Sequence, residues 1–474
     1  MKQPLLHILI LISVSGCRKY LEVPPPVNSI STASVFQSDI TAAGALNNVY
    51  DQLNGNAIFD GGGVGFTTGM YGDELKNQLF IVDLYQGLYG DAVNSSTSFV
   101  TSLWSTFYSR LYAVNLAIEG LTPANNLNYR SQWLGEAYFL RGLLYFYLTN
   151  LYGDAPLVLS SDYLSNNGLA RSPQADVYRQ IVSDLKQAQS LLGDKYHDDA
   201  GALTAGRGRP NKAAATALLA RVYLYTQDWK NAEAQADGLI ADVADYQLVA
   251  LSNVFGVNST EVIWGLIPLA GSTAFLVRDA KYFYLPPGTA PETIYVSSSL
   301  ADSLVSAFEP NDARYSTWVG KDTVPASGNT PATVYFFDSK YKAMDTYTAP
   351  REILSMLRLA EQYLIRAEAR AQQNNLGGAL ADLNAVRARA GLGASAAVSQ
   401  ADVLAAILRE RRVELFMECG HRWFDLRRTG NLDAVMNVVA PLKGGSWASY
   451  KAWWPIPLSD IQNSPHLIQT PGFQ

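Results

Sequence analysis

The chain has little cysteine and little histidine: two Cys and four His among 474 residues. Cys17 and Cys419 cannot build a disulfide framework, so an apolar core has to hold the fold. Of the histidines, His7 lies near the start and His197 and His466 sit in no ligand-spaced motif. That leaves Glu418-x-x-His421, and a two-metal bundle site needs this motif twice with two further glutamates. No metal or other cofactor is expected. Charge is also sparse, at 16% of residues, and the net charge of -6 lacks the basic surplus of a nucleic-acid-binding face, so no nucleic-acid partner is expected. The apolar run from Leu5 to Val14 is too short to cross a bilayer, which takes about 20 apolar residues.

Hydrophobic residues are plentiful at 48%, and 27 tyrosines with nine tryptophans exceed what a core requires. Rings with a polar edge are favoured where a surface meets a ligand or partner. The N-terminus, MKQPLLHILILISVSGC, reads as a secretory signal: a basic Lys2, the apolar run, then small residues before Cys17. Val14-Ser15-Gly16-Cys17 is similar to a bacterial lipobox, in which the cysteine is acylated and becomes the mature N-terminus. The expected organisation is therefore a signal peptide over 1–16 and a lipid-anchored, proline-containing tether over 17–28. A single helical body would follow over 29–474, outside the cell and anchored by lipid.

Helical periodicity dominates that body. WLGEAYFLRGLLYFYLTNLY (133–152) places apolar side chains at three- and four-residue intervals, and Gly-Asp-Ala-Pro stops it. The stretches 212–240 and 358–392 share one pattern: a helix with a small residue (Ala220, Ala367), a polar turn, and a second helix opening on alanine twelve positions later (Ala232, Ala379). This is the tetratricopeptide spacing, in which small residues let antiparallel helices approach closely. The fold class expected is mainly α, with tetratricopeptide-like helical pairs as a scaffold. Because the two clear pairs are far apart in sequence, the array is expected to be interrupted, not a continuous solenoid. The interruption, about 245–350, is rich in Gly, Pro, Ser, Thr and aromatics, with VIWGLI and TVYFFD as candidates for its few short strands. A second loop-like region, about 54–100, carries NGNAIFDGGGVGFTTGMYGDELKNQLF. Irregular insertions on a rigid body are where function tends to sit.

One stretch, ERRVELFMECGHRWFDLRRTG (410–430), concentrates nine charged residues. Glu414 and Glu418 lie four apart, Arg411 three before Glu414 and Arg422 four after Glu418, so on a helix opposite charges would meet along one face. Phe416, Trp423, Phe424 and Leu426 would bury the adjoining face, where pairing becomes obligatory. A structural role is expected. Glycoside hydrolysis needs only two suitably spaced carboxylates, so a surface glycosidase stays an alternative.

The same stretch strongly resembles the signature E-R-x-x-E-L-x-x-E-G-x-R-W-x-D-L-x-R of SusD/RagB-like outer-membrane lipoproteins, with Cys419 inserted before Gly420. The resemblance covers nearly the whole chain. It takes in the lipobox with Tyr20-Leu21-Glu22, Gly72-Asp73-Glu74-Leu75, Arg141 with Tyr145, GRPNKAAATALLARVYL, Asp312 and Arg314, RLAEQYLIRAEA and LNAVRARAGL. At the C-terminus, Leu467 to Phe473 echoes L-x-Q-N-P-G-Y, departing at Thr470 and Phe473. It implies a non-catalytic surface lipoprotein of a Bacteroidota-type bacterium that captures glycan and passes it to a SusC-like TonB-dependent transporter. Its charged signature would belong to the framework. A peptide or other nutrient binder of RagB type is the alternative on the same scaffold.

A sugar presents an apolar C–H face ringed by hydroxyls, so its site needs flat aromatic platforms edged by planar hydrogen-bonding groups. The first loop region offers Tyr71, Asp73 and Glu74, and the second Phe275, Arg278, Tyr282, Tyr284 and Trp318, with Trp318 the leading candidate. Competing readings are that Asp73 and Glu74 buttress a turn and that exposed rings meet the transporter. Trp104, at helical spacing from Tyr108 and Leu111, is expected in the core.

Overall fold

A computed structural model describes residues 32–55, 58–79, 83–268, 276–292, 296–344 and 349–473. Cys17, the signal and tether segments and Phe275 lie outside the described residues. The main helices are α1 (Asp39–Gly55), α2 (Val64–Tyr71), α3 (Ser98–Leu121), α4 (Arg130–Tyr152), α5 (Gln174–Leu191), α6 (Lys212–Tyr225) and α7 (Trp229–Ala241). After the insertion come α8 (Leu359–Gln372), α9 (Leu376–Arg389), α10 (Gln400–Glu414) and α11 (His421–Arg428).

Helix α4 is apolar almost all round because neighbours cover nearly all of it. It packs between α3 and α5. Gly135 and Gly142 permit the approach of α5: a Cβ at Gly135 would lie 2.8 Å from Leu192, and one at Gly142 2.9 Å from Leu185. Arg141 then clasps Asp184 with two bonds of 2.8 and 2.7 Å across the same seam. The alanine pattern works the same way, since Ala220, Ala232, Ala367 and Ala379 are all fully buried where paired helices touch. Polar caps define the starts: Asn211 accepts from the Ala214 N–H, Asn375 from Gly378 and Ser399 from Asp402.

The array is not interrupted in space. Helix α7 packs directly on α8, where Arg370 Nε meets Glu233 at 2.8 Å and Arg366 meets Asp237 at 2.6 Å. The chain leaves the stack after α7 and re-enters at α8, the next place in it, so sequence distance between the pairs says nothing about their spacing. The insertion is held at its root by two antiparallel strands, β2 (Val262–Leu266) and β6 (Leu354–Arg358), with Leu266 opposite Leu354. Both strands are buried on both faces, so neither shows polar alternation. β6 continues into α8 without a loop. Further antiparallel pairs lie elsewhere: the three-residue strands β1 (Leu75–Asn77) and β3 (Ser298–Leu300), and the six-residue strands β4 (Val319–Val324) and β5 (Thr333–Asp338), which form a hairpin. VIWGLI and TVYFFD thus contain strands, as expected.

Region 54–100 differs from its loop-like reading. It holds the wholly buried helix α2 and strand β1. Glycines on α2 are packing positions: a Cβ at Gly65 would lie 2.8 Å from the Met417 carbonyl oxygen. Trp104 is in the core, its indole N–H bonded to Asp460.

Candidate functional site

The charged stretch is not one helix. α10 ends at Glu414, and Met417, Cys419 and Gly420 take φ values of 58°, 46° and 80°, turning the chain before α11. Glu414 and Glu418 therefore do not form a ladder along a single face; their partners come from distant elements. Arg314, Arg358 and Arg389 all reach the Glu414 carboxylate. Arg358 also meets Glu418 at 2.8 Å and Glu261 at 3.0 Å, while the Lys340 ammonium reaches Glu418 at 2.6 Å. Within the turn region Arg411 pairs with Asp425 at 2.7 Å. Arg428 bridges Asp425 and Glu368. Burial alone would raise the Glu414 carboxyl, but Arg389, Arg358 and Arg314 outweigh it and hold it well below the usual range. Burial, reinforced by Arg221 and Arg411, pushes His421 well down, so the ring is neutral. With Glu418 engaged by Arg358 and Lys340, the Glu-x-x-His pair has no carboxylate to offer a metal.

Several of the residues expected to touch ligand lie inside this framework. Tyr71 is fully buried against Trp423, ring centroids 4.9 Å apart, and its hydroxyl donates to the Lys451 carbonyl. Asp73 is buried between Arg412 and Arg422, at 2.9 and 2.7 Å. Glu74, also buried, accepts the Met417 N–H, and burial with the neighbouring Asp73 charge pushes it up to about 7. Trp318 is 1% exposed, its indole N–H donates to the Leu251 carbonyl and its ring abuts Phe255. These four side chains fasten the insertion and α2 to the helices, and a ring enclosed on both faces has none left for a sugar.

Arg278, Tyr282 and Tyr284 are placed differently. All three are half-buried and sit on or just after a short helix, Arg278–Phe283. That helix is seated on Asp60-Gly61-Gly62. Asp60 accepts the Arg278 and Asp279 N–H groups, and Asp279 accepts the Gly61 N–H at 2.7 Å. Gly61 and Gly62 have φ of 54° and 89°, and a Cβ on either would collide with Arg278 or Tyr282. Burial pushes both Asp60 and Asp279 up, and each carboxyl opposes ionisation of the other. Phe66 meets Tyr282 edge-on at 6.2 Å, and Phe337 of β5 meets Tyr284 at 5.4 Å. Each of the two tyrosine rings is thus backed by a phenylalanine and remains half-buried.

A cleft of about 760 Å³ opens between α1, the segment 197–209 and the exit of β2. Its lining includes the polar Tyr50, Asp51, Asp199 and Arg209 and the apolar Leu266, Ile267, Pro268 and Pro350. Arg209 is 5% exposed and pairs with Glu136 at 2.6 Å and Asp199 at 2.9 Å. The cleft was not foreseen in the sequence: its residues come from four remote segments with no shared motif.

Comparison with known proteins locates this architecture. Residues 19–224 match the family described as "Starch-binding associating with outer membrane" (SusD-like), and residues 311–473 match the SusD family. The chain is similar to SusD-like protein P25 of Formosa agariphila, at 24% identity over 98% of this chain and 97% of that protein. It is similar to the starch-binding protein SusD of Bacteroides thetaiotaomicron at 27% identity over 75% of each. Among solved structures, a laminarin-binding SusD-like protein superposes with a TM-score of 0.76 at 25% identity, covering 91% of this chain and 99% of that one.

Proposed function

The chain belongs to the SusD/RagB-like family, and on that premise we propose that it is a non-catalytic, lipid-anchored glycan-capture protein of the outer-membrane surface. In this reading Cys17 carries the lipid, residues 17–28 form the tether and 29–474 act as one body. A SusC-like TonB-dependent transporter receives the captured glycan. The observation that favours binding over hydrolysis is the state of the signature carboxylates. Glu414, Glu418 and Asp425 are each engaged by guanidinium or ammonium groups inside the fold, away from any substrate. Arg278, Tyr282 and Tyr284 are the proposed platform.

Capture uses modest contacts. Each ring stacked on a sugar gives modest affinity, so contacts at several points hold a polymer and still release it. The test is affinity electrophoresis of the soluble form, starting after Cys17, through gels containing starch, laminarin and other plant, microbial and host polysaccharides. Retardation in at least one gel, reduced about threefold to tenfold by Tyr282→Ala or Tyr284→Ala, is expected. Incubation with the retarding polysaccharide should release no reducing ends; their steady appearance would replace the binder with a glycosidase. A folded protein retarded by no polysaccharide yet binding peptides would favour the RagB-type alternative.

A further inference from the structure

Within the glycan reading above, we propose that the cleft beside α1 is a subsite for a cationic amino sugar, with Asp51 as the acceptor of the protonated amine. Three observations carry it. The first is charge: Arg209 is the only arginine or lysine among the lining residues, and it is already paired with Glu136 and Asp199. Asp51 and Asp198 face the same space with no second cation to balance them.

The second is that Asp51 has no partner among the described residues. It is half-buried, and among the described residues it makes no hydrogen bond or ion pair. Burial and the nearby Asp199 both oppose its ionisation. A carboxylate in that position is stabilised by a cation brought from outside, and a charge-assisted N–H···O bond is the strong form of that contact.

The third is the apolar part of the lining. Leu266, Ile267, Pro268 and Pro350 add carbon surface to the same cleft as the carboxylates, the combination of apolar surface and a few polar groups that a pyranose ring fits. The volume, about 760 Å³, suits a short oligosaccharide. A metal ion is a poorer occupant, since no group of three or more His, Cys, Asp or Glu among the described residues is placed to hold one. The cleft and the ring platform are also connected through the chain: Asn54, at the end of α1, donates to the Ile267 carbonyl on the cleft wall, and the chain continues from α1 to the Asp60 seat of the platform.

Isothermal titration of the soluble form with glucosamine tetramer, its N-acetylated counterpart and a neutral glucose tetramer tests this at pH 6, where the amine is protonated. The expected result is preference for the glucosamine tetramer, with Asp51→Asn weakening it about tenfold, the loss of one charge-assisted hydrogen bond. The neutral tetramer should bind wild type and Asp51→Asn alike. Because Asp51 supports nothing inside the fold, the variant should keep its melting temperature. Equal binding of all three tetramers, unaffected by Asp51→Asn, overturns the subsite and leaves glycan capture intact. Failure of the three tetramers and of every polysaccharide in the gels overturns both. Binding of tetralysine, reduced by Asp51→Asn, without binding of any saccharide also overturns it, in favour of a basic peptide.

Discussion

Replacing Glu414 by glutamine tests whether the charged signature is a joint. The change is nearly isosteric but removes the negative charge to which Arg314, Arg358 and Arg389 converge. Breaking a buried ion pair by removing one partner costs about 3–5 kcal/mol, because the remaining charge is left uncompensated. With an unfolding entropy of about 2.1 cal/mol/K per residue over 474 residues, about 1 kcal/mol shifts the melting temperature by about 1 °C. Glu414→Gln should therefore melt about 3–5 °C lower in scanning calorimetry at pH 7. Glu309→Gln is the control, since Glu309 pairs with Arg387 at the exposed surface and should shift melting by less than about 1 °C. The pH dependence has a definite sign. Glu414 is held below its unfolded value, so its contribution is present above the ordinary glutamate value of about 4.3 and is lost as pH falls through the lower folded value. The gap between wild type and variant should hold from neutral pH down to mild acid and close only in strong acid. Polysaccharide retardation at 20 °C should be unchanged. Unchanged melting, or lost retardation at unchanged melting, would refute the structural assignment.

Two further predictions concern residues now placed inside the fold. Trp318→Ala should lower the melting temperature by about 3–5 °C, the cost of emptying a buried indole site, and leave retardation of the folded protein intact; lost retardation without lowered melting would make the ring a ligand contact. Glu74, raised to about 7, is protonated in the folded state where the unfolded chain is ionised, so its contribution is full in acid and declines as pH rises from about 4.5 through 7. Glu74→Gln should accordingly match wild type in melting at pH 5 and exceed it by about 2–4 °C at pH 8, as measured by calorimetry in the two buffers.

The helical pairs were legible because close approach demands small side chains at fixed spacing, and Ala220, Ala232, Ala367 and Ala379 satisfy that demand locally. The burial of Trp318, Tyr71 and Asp73 was not. A tryptophan between polar residues looks exposed in sequence, yet its cover comes from Leu251 and Phe255, more than sixty positions away. Asp73 likewise meets Arg412 and Arg422 across hundreds of residues. Periodicity reports only which face of an element is apolar, and glycine in 61–65 reads as loop whether it serves a turn or, as here, a close contact. Tyr282 and Tyr284 are singled out in the sequence by their chemistry alone, and the fold leaves both half-buried. The cleft at Asp51 depends on which segments the fold brings together, and no local pattern encodes that.

The root of the insertion has a consequence for how such a scaffold changes over time. β2 and β6 lie side by side, so the chain leaves the helical stack and returns to it at one place. For a loop with fixed ends, doubling the length costs only about 0.6 kcal/mol of closure entropy. Exposed stretches of the insertion, such as residues 325–332 between β4 and β5, can thus be lengthened, shortened or exchanged while Arg314, Trp318 and Lys340 keep their places in the framework and α7 still meets α8 across the same ion pairs. Selection can rewrite what the surface recognises without renegotiating how the body folds, much as a socket accepts many tools on one handle.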